Sequence, residues 1–173
     1  MVRLLLRKKD PEARALAALA AALLYLPEPH RPEDALQVVA DLARSETKSK
    51  YCALNVTDEH DRTQGFITSG MTEAELRGLR TPPQGHGPLG SLRADGRPIR
   101  LGNVSQHRRS FGFPPKHPRM NTLLGVPLWC RGVVRGALYV TDRSDGKLYD
   151  DADERLLLTL AQHASHVIEH DWY

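Results

Sequence analysis

Two pairs of strand-like runs, each joined by a short polar turn, constrain the fold of this chain more than any other feature. Tyr51–Thr57 and Thr63–Ser69 flank the turn Asp58–Arg62, and Asn121–Trp129 and Val133–Thr141 flank Cys130-Arg131-Gly132. Strands joined so closely pair antiparallel, because a parallel crossover needs a dozen or more residues. Helical patterns bracket these pairs. Asp10-Pro11-Glu12 supplies an N-cap, a proline at the first helical position and an acid in the first turn, ahead of the apolar run Ala13–Leu26. Pro27, Pro29 and Pro32 break that helix, and a second begins at Pro32 with Ala35, Leu36, Val38, Val39, Leu42 and Ala43 at helical spacing. Asp150 caps a final helix whose residues Leu156, Leu157, Leu160, Ala161, Ala164, Val167 and Ile168 share one face.

Between the strand pairs the pattern thins. Thr72-Glu73-Ala74-Glu75 has capping-box spacing and predicts a short helix ending near Arg80. From Gln84 to Met120 the chain is rich in Gly, Pro, His and Arg, and only Pro98–Val104 reads as a strand. The expected fold is α+β: a central antiparallel sheet, N- and C-terminal helices on one face, and ligand loops on the other. An N-terminal helix over residues 1–31 would precede a domain over residues 32–173.

Composition removes several function classes. A net charge of +3 over 173 residues gives no dense basic stripe, so nucleic acid is not an expected partner. Cys52 and Cys130 form no CxxC pair, which predicts buried, reduced thiols. The apolar run Ala15–Leu26 is too short to span a bilayer, and the start of the chain lacks the core of a signal peptide. The expected location is cytoplasmic, without a membrane partner.

The segment Phe111-Gly112-Phe113-Pro114-Pro115-Lys116-His117-Pro118-Arg119-Met120 is the most unusual. Three prolines stiffen it, which lowers the ordering cost of holding a ligand. His107, Arg108, Arg109, Lys116 and Arg119 surround His117 with positive charge that suits a small anion or the carboxylates of a porphyrin.

Gly112–Met120, followed by Leu123-Leu124-Gly125-Val126-Pro127 and Gly136-Ala137-Leu138-Tyr139-Val140-Thr141-Asp142, resembles bacterial GAF domains. Gly85-His86-Gly87-Pro88-Leu89-Gly90 resembles a loop of that group, and the likeness runs from about Pro32 to Ile168. The resemblance implies a GAF/PAS-like sensor for signal transduction. Two kinds of relative bear on the ligand. In heme-based sensor kinases the histidine of the Pro-Pro-x-His-Pro motif is the proximal ligand of heme b iron, and a tyrosine on the last core strand faces the distal side. By resemblance these are His117 and Tyr139. A stand-alone nitrate receptor of this family shares the Phe-Pro-Pro loop, acts on a sensor kinase, and implies a small-anion ligand instead. Either way the expected ligand residues are Phe113, Pro114, Pro115, Lys116, His117, Tyr139, His86 and His107, between the loops Gly85–Leu92 and His107–Met120. Related domains also imply a homodimer through the terminal helices, and a sensor kinase or regulator as partner.

Two further readings stand beside this one. A ligand-free protein-interaction module would have much the same sequence. Some stand-alone GAF proteins reduce free methionine sulfoxide with a nucleophilic and a resolving thiol, but Cys52 and Cys130 lie outside that pattern, so the chain is expected not to be an enzyme. His163, His166 and His170 share one side of the final helix, away from its leucines, and no acidic or cysteine partner completes a metal motif nearby. They read as a solvent- or dimer-facing stripe.

Overall fold

The protein is described from a computed structural model that covers residues 10–79, 88–106 and 117–172. Asp10 accepts a hydrogen bond from the Glu12 backbone N–H at 3.3 Å and opens α1, Pro11–Leu24. Helix α2, Pro32–Glu46, starts at its proline, and the carboxylate of Asp34 accepts from the backbone N–H of Arg31 at 3.0 Å. The first hairpin is β1, Ser49–Thr57, and β2, Thr63–Ser69. Helix α3, Glu73–Gly78, carries the expected capping box from Thr72 and stops earlier than its pattern suggests.

The stretch expected to be loop with one strand is more ordered than that. It contains a helix, α4, Pro88–Asp95, then β3, Ile99–Leu101, and a 3-10 turn over Val104–Gln106. The proposed ligand loop Gly85–Leu92 is thus helical from Pro88 onward. Gly90 inside α4 and its short length hid it, since eight residues show no clear apolar period. Strands β4, Leu123–Cys130, and β5, Val133–Arg143, follow, and Asp150 caps α5, Asp151–Asp171, through the N–H groups of Ala152 and Asp153.

All pairs are antiparallel, in the order β2-β1-β5-β4-β3. The side-chain period of two splits the sheet into two faces. Cys52, Leu54 and Val56 of β1, Leu124, Val126 and Leu128 of β4, and Leu138 and Val140 of β5 meet α1, α2 and α5 in the main core. Burying one such side chain contributes about 1.5–3 kcal/mol, so this face dominates stability. Ala15 and Leu19 bring α1 into the same core. Among the described residues no helix is long and apolar enough to cross a membrane.

Candidate functional site

The opposite face of the sheet carries a second, smaller core of Ala53, Leu92, Val104, Leu123, Ala137 and Tyr139, with Phe66, Leu89, Ile99 and Leu101 against it. Strand register orders it into rows. Phe66, Asn55, Ala137 and Pro127 are neighbours across the sheet, followed by Thr68, Ala53, Tyr139, Gly125 and Ile99, and then by Tyr51, Thr141, Leu123 and Leu101. Successive rows are about 7 Å apart along the strands. Helix α4 lies directly on the middle row: a Cβ on Gly125 would stand 2.8 Å from Leu92 Cδ1 and 3.5 Å from Tyr139 Cβ. A side chain at position 125 would therefore push α4 away.

This small core is polar where a structural core should be dry. Asn55 is 4% exposed, yet its Oδ1 has no hydrogen-bond partner; Thr141 is 1% exposed, and its Oγ1 has none either. Between them Tyr139 is buried, and desolvation pushes its phenol well up, which keeps it neutral. At the rim the Tyr51 hydroxyl donates to Glu75 Oε1 of α3 at 2.7 Å. An unpaired buried polar group costs about 1–3 kcal/mol, so two on one face call for an explanation. The sequence reading missed Asn55 and Thr141, and had Leu92 only as the end of a ligand loop. The one local signal was a lone Asn inside an apolar strand.

The expected ligand residues divide between two places. Phe113, Pro114, Pro115, Lys116, His86 and His107 lie outside the described residues. Tyr139 is on the α4 side of the sheet. His117 is half-buried, and its Nδ1 lies 2.7 Å from the carbonyl oxygen of Pro118. A carbonyl only accepts, so Nδ1 carries the proton and, in the neutral ring, Nε2 keeps its lone pair. Arg119 points to solvent.

The α5 histidines are not a uniform solvent-facing stripe. His163 is half-buried, its Nε2 is sealed without a partner, and desolvation followed by the charge of His166 lowers its pKa. Glu169 lies 4.0 Å from His166, and Asp171 lies 3.1 Å from His170. Among the described residues no cluster of three or more His, Cys, Asp or Glu side chains could hold a metal ion. Cys52 and Cys130 are free and buried, and burial raises both thiols, Cys130 to about 11.

Comparison with known proteins gives this arrangement a family. The GAF domain family model matches residues 29–169. The GAF domain of an Acinetobacter phosphoenolpyruvate-protein phosphotransferase is 24% identical, with a TM-score of 0.71 over 91% of this chain and 94% of that one. A methyl-accepting chemotaxis protein is 16% identical, with a TM-score of 0.63 over 92% and 95% of the two chains. The free methionine-R-sulfoxide reductase of Neisseria meningitidis, solved with its substrate, is 18% identical, with a TM-score of 0.70 over 96% and 95%. That last likeness corrects the expectation that the chain is not an enzyme: the same fold houses a reductase, so fold and resemblance do not exclude catalysis. The narrower likeness to heme sensors and nitrate receptors is not carried by these matches. With the five-stranded antiparallel sheet, its helical face and a family match over most of the sequence, this chain belongs to the GAF domain family.

Proposed function

We propose that this GAF domain senses a small ligand held on the α4 side of the sheet and relays occupancy through its outer helices to a sensor kinase or regulator. GAF domains are commonly signalling modules, and the chemotaxis protein above shares the fold. One observation carries the proposal: the unpartnered Asn55 Oδ1 and Thr141 Oγ1 on either side of buried Tyr139. Binding sites are mostly apolar pockets with a few polar groups, and a ligand that supplies the missing hydrogen bonds removes their desolvation cost. Occupancy would bias two arrangements of the sheet and its helices. Leu16, Leu24, Tyr25 and Leu158 expose apolar surface on α1, just beyond it and on α5, and that surface is proposed to join two copies of the chain. A monomer by light scattering at high concentration removes the dimer.

Heme b fits this face poorly. A neutral imidazole such as His117 has the chemistry of an axial iron ligand. A porphyrin set against Tyr139 would nevertheless displace Leu92 from Gly125, and α4 with it. A small anion needs no such displacement and can accept from the Thr141 hydroxyl, whereas Asn55 Oδ1 calls for a ligand that donates. Thermal unfolding with nitrate, nitrite, formate and hemin tests the reading. The wild-type midpoint rises with at least one of these ligands, and Thr141→Val abolishes the response to an anion. A wild-type midpoint that none of them moves would return the chain to the class of ligand-free interaction modules.

A further inference from the structure

A recess of about 570 Å³ opens at the end of the sheet away from the β1–β2 turn, where α2 stops, β1 begins and β5 ends. Antiparallel pairing builds it, because Ser49 at the start of β1 faces Arg143 at the end of β5. Neighbouring elements deliver cations to its wall: Arg44 from the last turn of α2, Lys48 from the link to β1, and Lys50 from β1. Gly70 lets them close up. Its φ is +89, and a Cβ there would stand 2.2 Å from the Lys50 carbonyl oxygen and 2.8 Å from Arg44 Cδ. Half-buried Arg44 donates from Nε to Ser69 Oγ at 3.0 Å, which fixes the guanidinium plane. Among the described residues no carboxylate lies within 4 Å of Arg44, Lys48 or Lys50. Arg143, in the same wall, is by contrast matched by Asp145 and Asp153. Asp142 also lines the recess, but its Oδ1 accepts from the backbone N–H groups of Asn121 and Thr122 at 2.9 and 3.0 Å. The end of α2 carries only about half a unit of negative charge, which Arg44 alone outweighs. Lys48 and Asp142 both hold a left-handed backbone, φ 55 at each, and such strained residues concentrate at binding sites.

We infer that this recess is a second binding site and takes the phosphate monoester of a small hydroxylated molecule, held by Arg44 and Lys48. The inference does not depend on the ligand-sensing reading of the α4 side. With Nε engaged by Ser69, the two Nη groups of Arg44 keep their hydrogens, and a guanidinium edge matches two oxygens of one phosphate. Lys48 adds a point charge for the third oxygen, and Lys50 lies beside it in the wall. A phosphate monoester has three acceptor oxygens and about 1.5–2 negative charges at neutral pH, so it uses both kinds of donor. A carboxylate fills the fork and leaves the lysines without a partner. The recess has the volume of a small-molecule site rather than of a bare ion. The rest of its described lining is three serines and Gly70, with no aromatic or branched aliphatic side chain. Such a wall suits a body of hydroxyl groups and gives a flat apolar ring nothing to stack on.

The test is an NMR titration of the 15N-labelled full chain with ribose 5-phosphate, inorganic phosphate and ribose, and with sodium chloride at equal ionic strength. Ribose 5-phosphate is expected to shift the Lys48, Gly70 and Ser144 amides and the Arg44 Nε–H to saturation, whereas ribose and chloride are not. Inorganic phosphate is expected to move the same resonances with about tenfold weaker affinity, because it lacks the hydroxyl contacts. Arg44→Gln removes the charge and the fork, and is expected to weaken binding about tenfold or more. Arg44 also holds Ser69, so Lys48→Gln, at an exposed side chain, is the second variant and is expected to weaken binding about two- to fivefold. Spectral dispersion like that of wild type reports that each variant is folded. No saturable shift with ribose 5-phosphate, an equal shift with chloride, or full affinity in both variants overturns the inference. Inorganic phosphate that binds as tightly as the ester also overturns it, since the recess then holds an adventitious ion only. A polyglutamate peptide that saturates these amides while ribose 5-phosphate leaves them unmoved overturns it in favour of an acidic protein partner.

Discussion

Thr141→Val is expected to stabilise the ligand-free protein, although it removes a polar group from a candidate site. Thr141 is 1% exposed, and its hydroxyl has no partner. Valine has the same branching at Cβ and suits a strand equally well, so the change is one hydroxyl for one methyl. Relief of an unpaired buried hydroxyl is worth about 1–3 kcal/mol. For a chain of 173 residues each kcal/mol moves the midpoint by roughly 2–4 °C. Thr57→Val is the matched control. Thr57 is also 1% exposed, but its hydroxyl donates to the carbonyl oxygen of Arg135 at 3.3 Å. That variant is expected to lose about 0.5–1.5 kcal/mol. The same chemical edit on two strands of one sheet should thus shift stability in opposite directions. Calorimetry, with urea melts of unchanged m-value, measures both. A Thr141→Val protein that is neutral or destabilised would mean that this hydroxyl is satisfied in the native state, and the argument for an open polar site would lose one of its two supports.

Three further outcomes follow from the geometry. Gly136 has φ +157, and a Cβ there would overlap the carbonyl oxygen of Asn55, so Gly136→Ala should cost about 3 kcal/mol or more in a thermal melt; a cost under about 1 kcal/mol contradicts the β1–β5 register. Desolvation raises the Asp58 pKa but is outweighed by the backbone N–H groups of Arg62 and His60 and the Arg62 guanidinium, which bring it from 3.8 to about 2. Its folded pKa is depressed, so its contribution to the β1–β2 turn is present above the unfolded value and is lost as pH falls from there toward about 2; an NMR titration midpoint near 3.8 refutes this. Because burial raises the Cys52 and Cys130 thiols, a thiol reagent should label neither at neutral pH until the protein unfolds, and rapid labelling of the native protein contradicts their burial.

Much of the scaffold is legible residue by residue because its signals are local. Pro32 opens α2, Thr72 and Glu75 cap α3, Asp150 caps α5, and β2 runs over Thr63–Ser69 as its pattern predicts. Strand alternation also assigns the helix-facing residues Leu54, Val126 and Leu138. Helix α4 was not legible, because Pro88–Asp95 is short, contains Gly90, and gains its stability from Leu92 packing on Gly125. The motif that drew attention in the sequence, Phe111–Met120, contributes only its end to the described structure.

The polar site follows the same division. By itself the sequence determined that β1 and β5 would be antiparallel strands with alternating faces, because period and turn length are properties of neighbouring residues. It could not show that Asn55 Oδ1, Thr141 Oγ1 and Arg93 Nε would each be sealed without a partner. Whether a polar atom is satisfied depends on everything packed around it. Asn55 has Phe66 and Ala137 beside it, and Arg93 reaches Asp61 of the β1–β2 turn from a helix far along the chain. Only the tertiary structure decided which groups meet, and therefore which hydrogen bonds are left unmade.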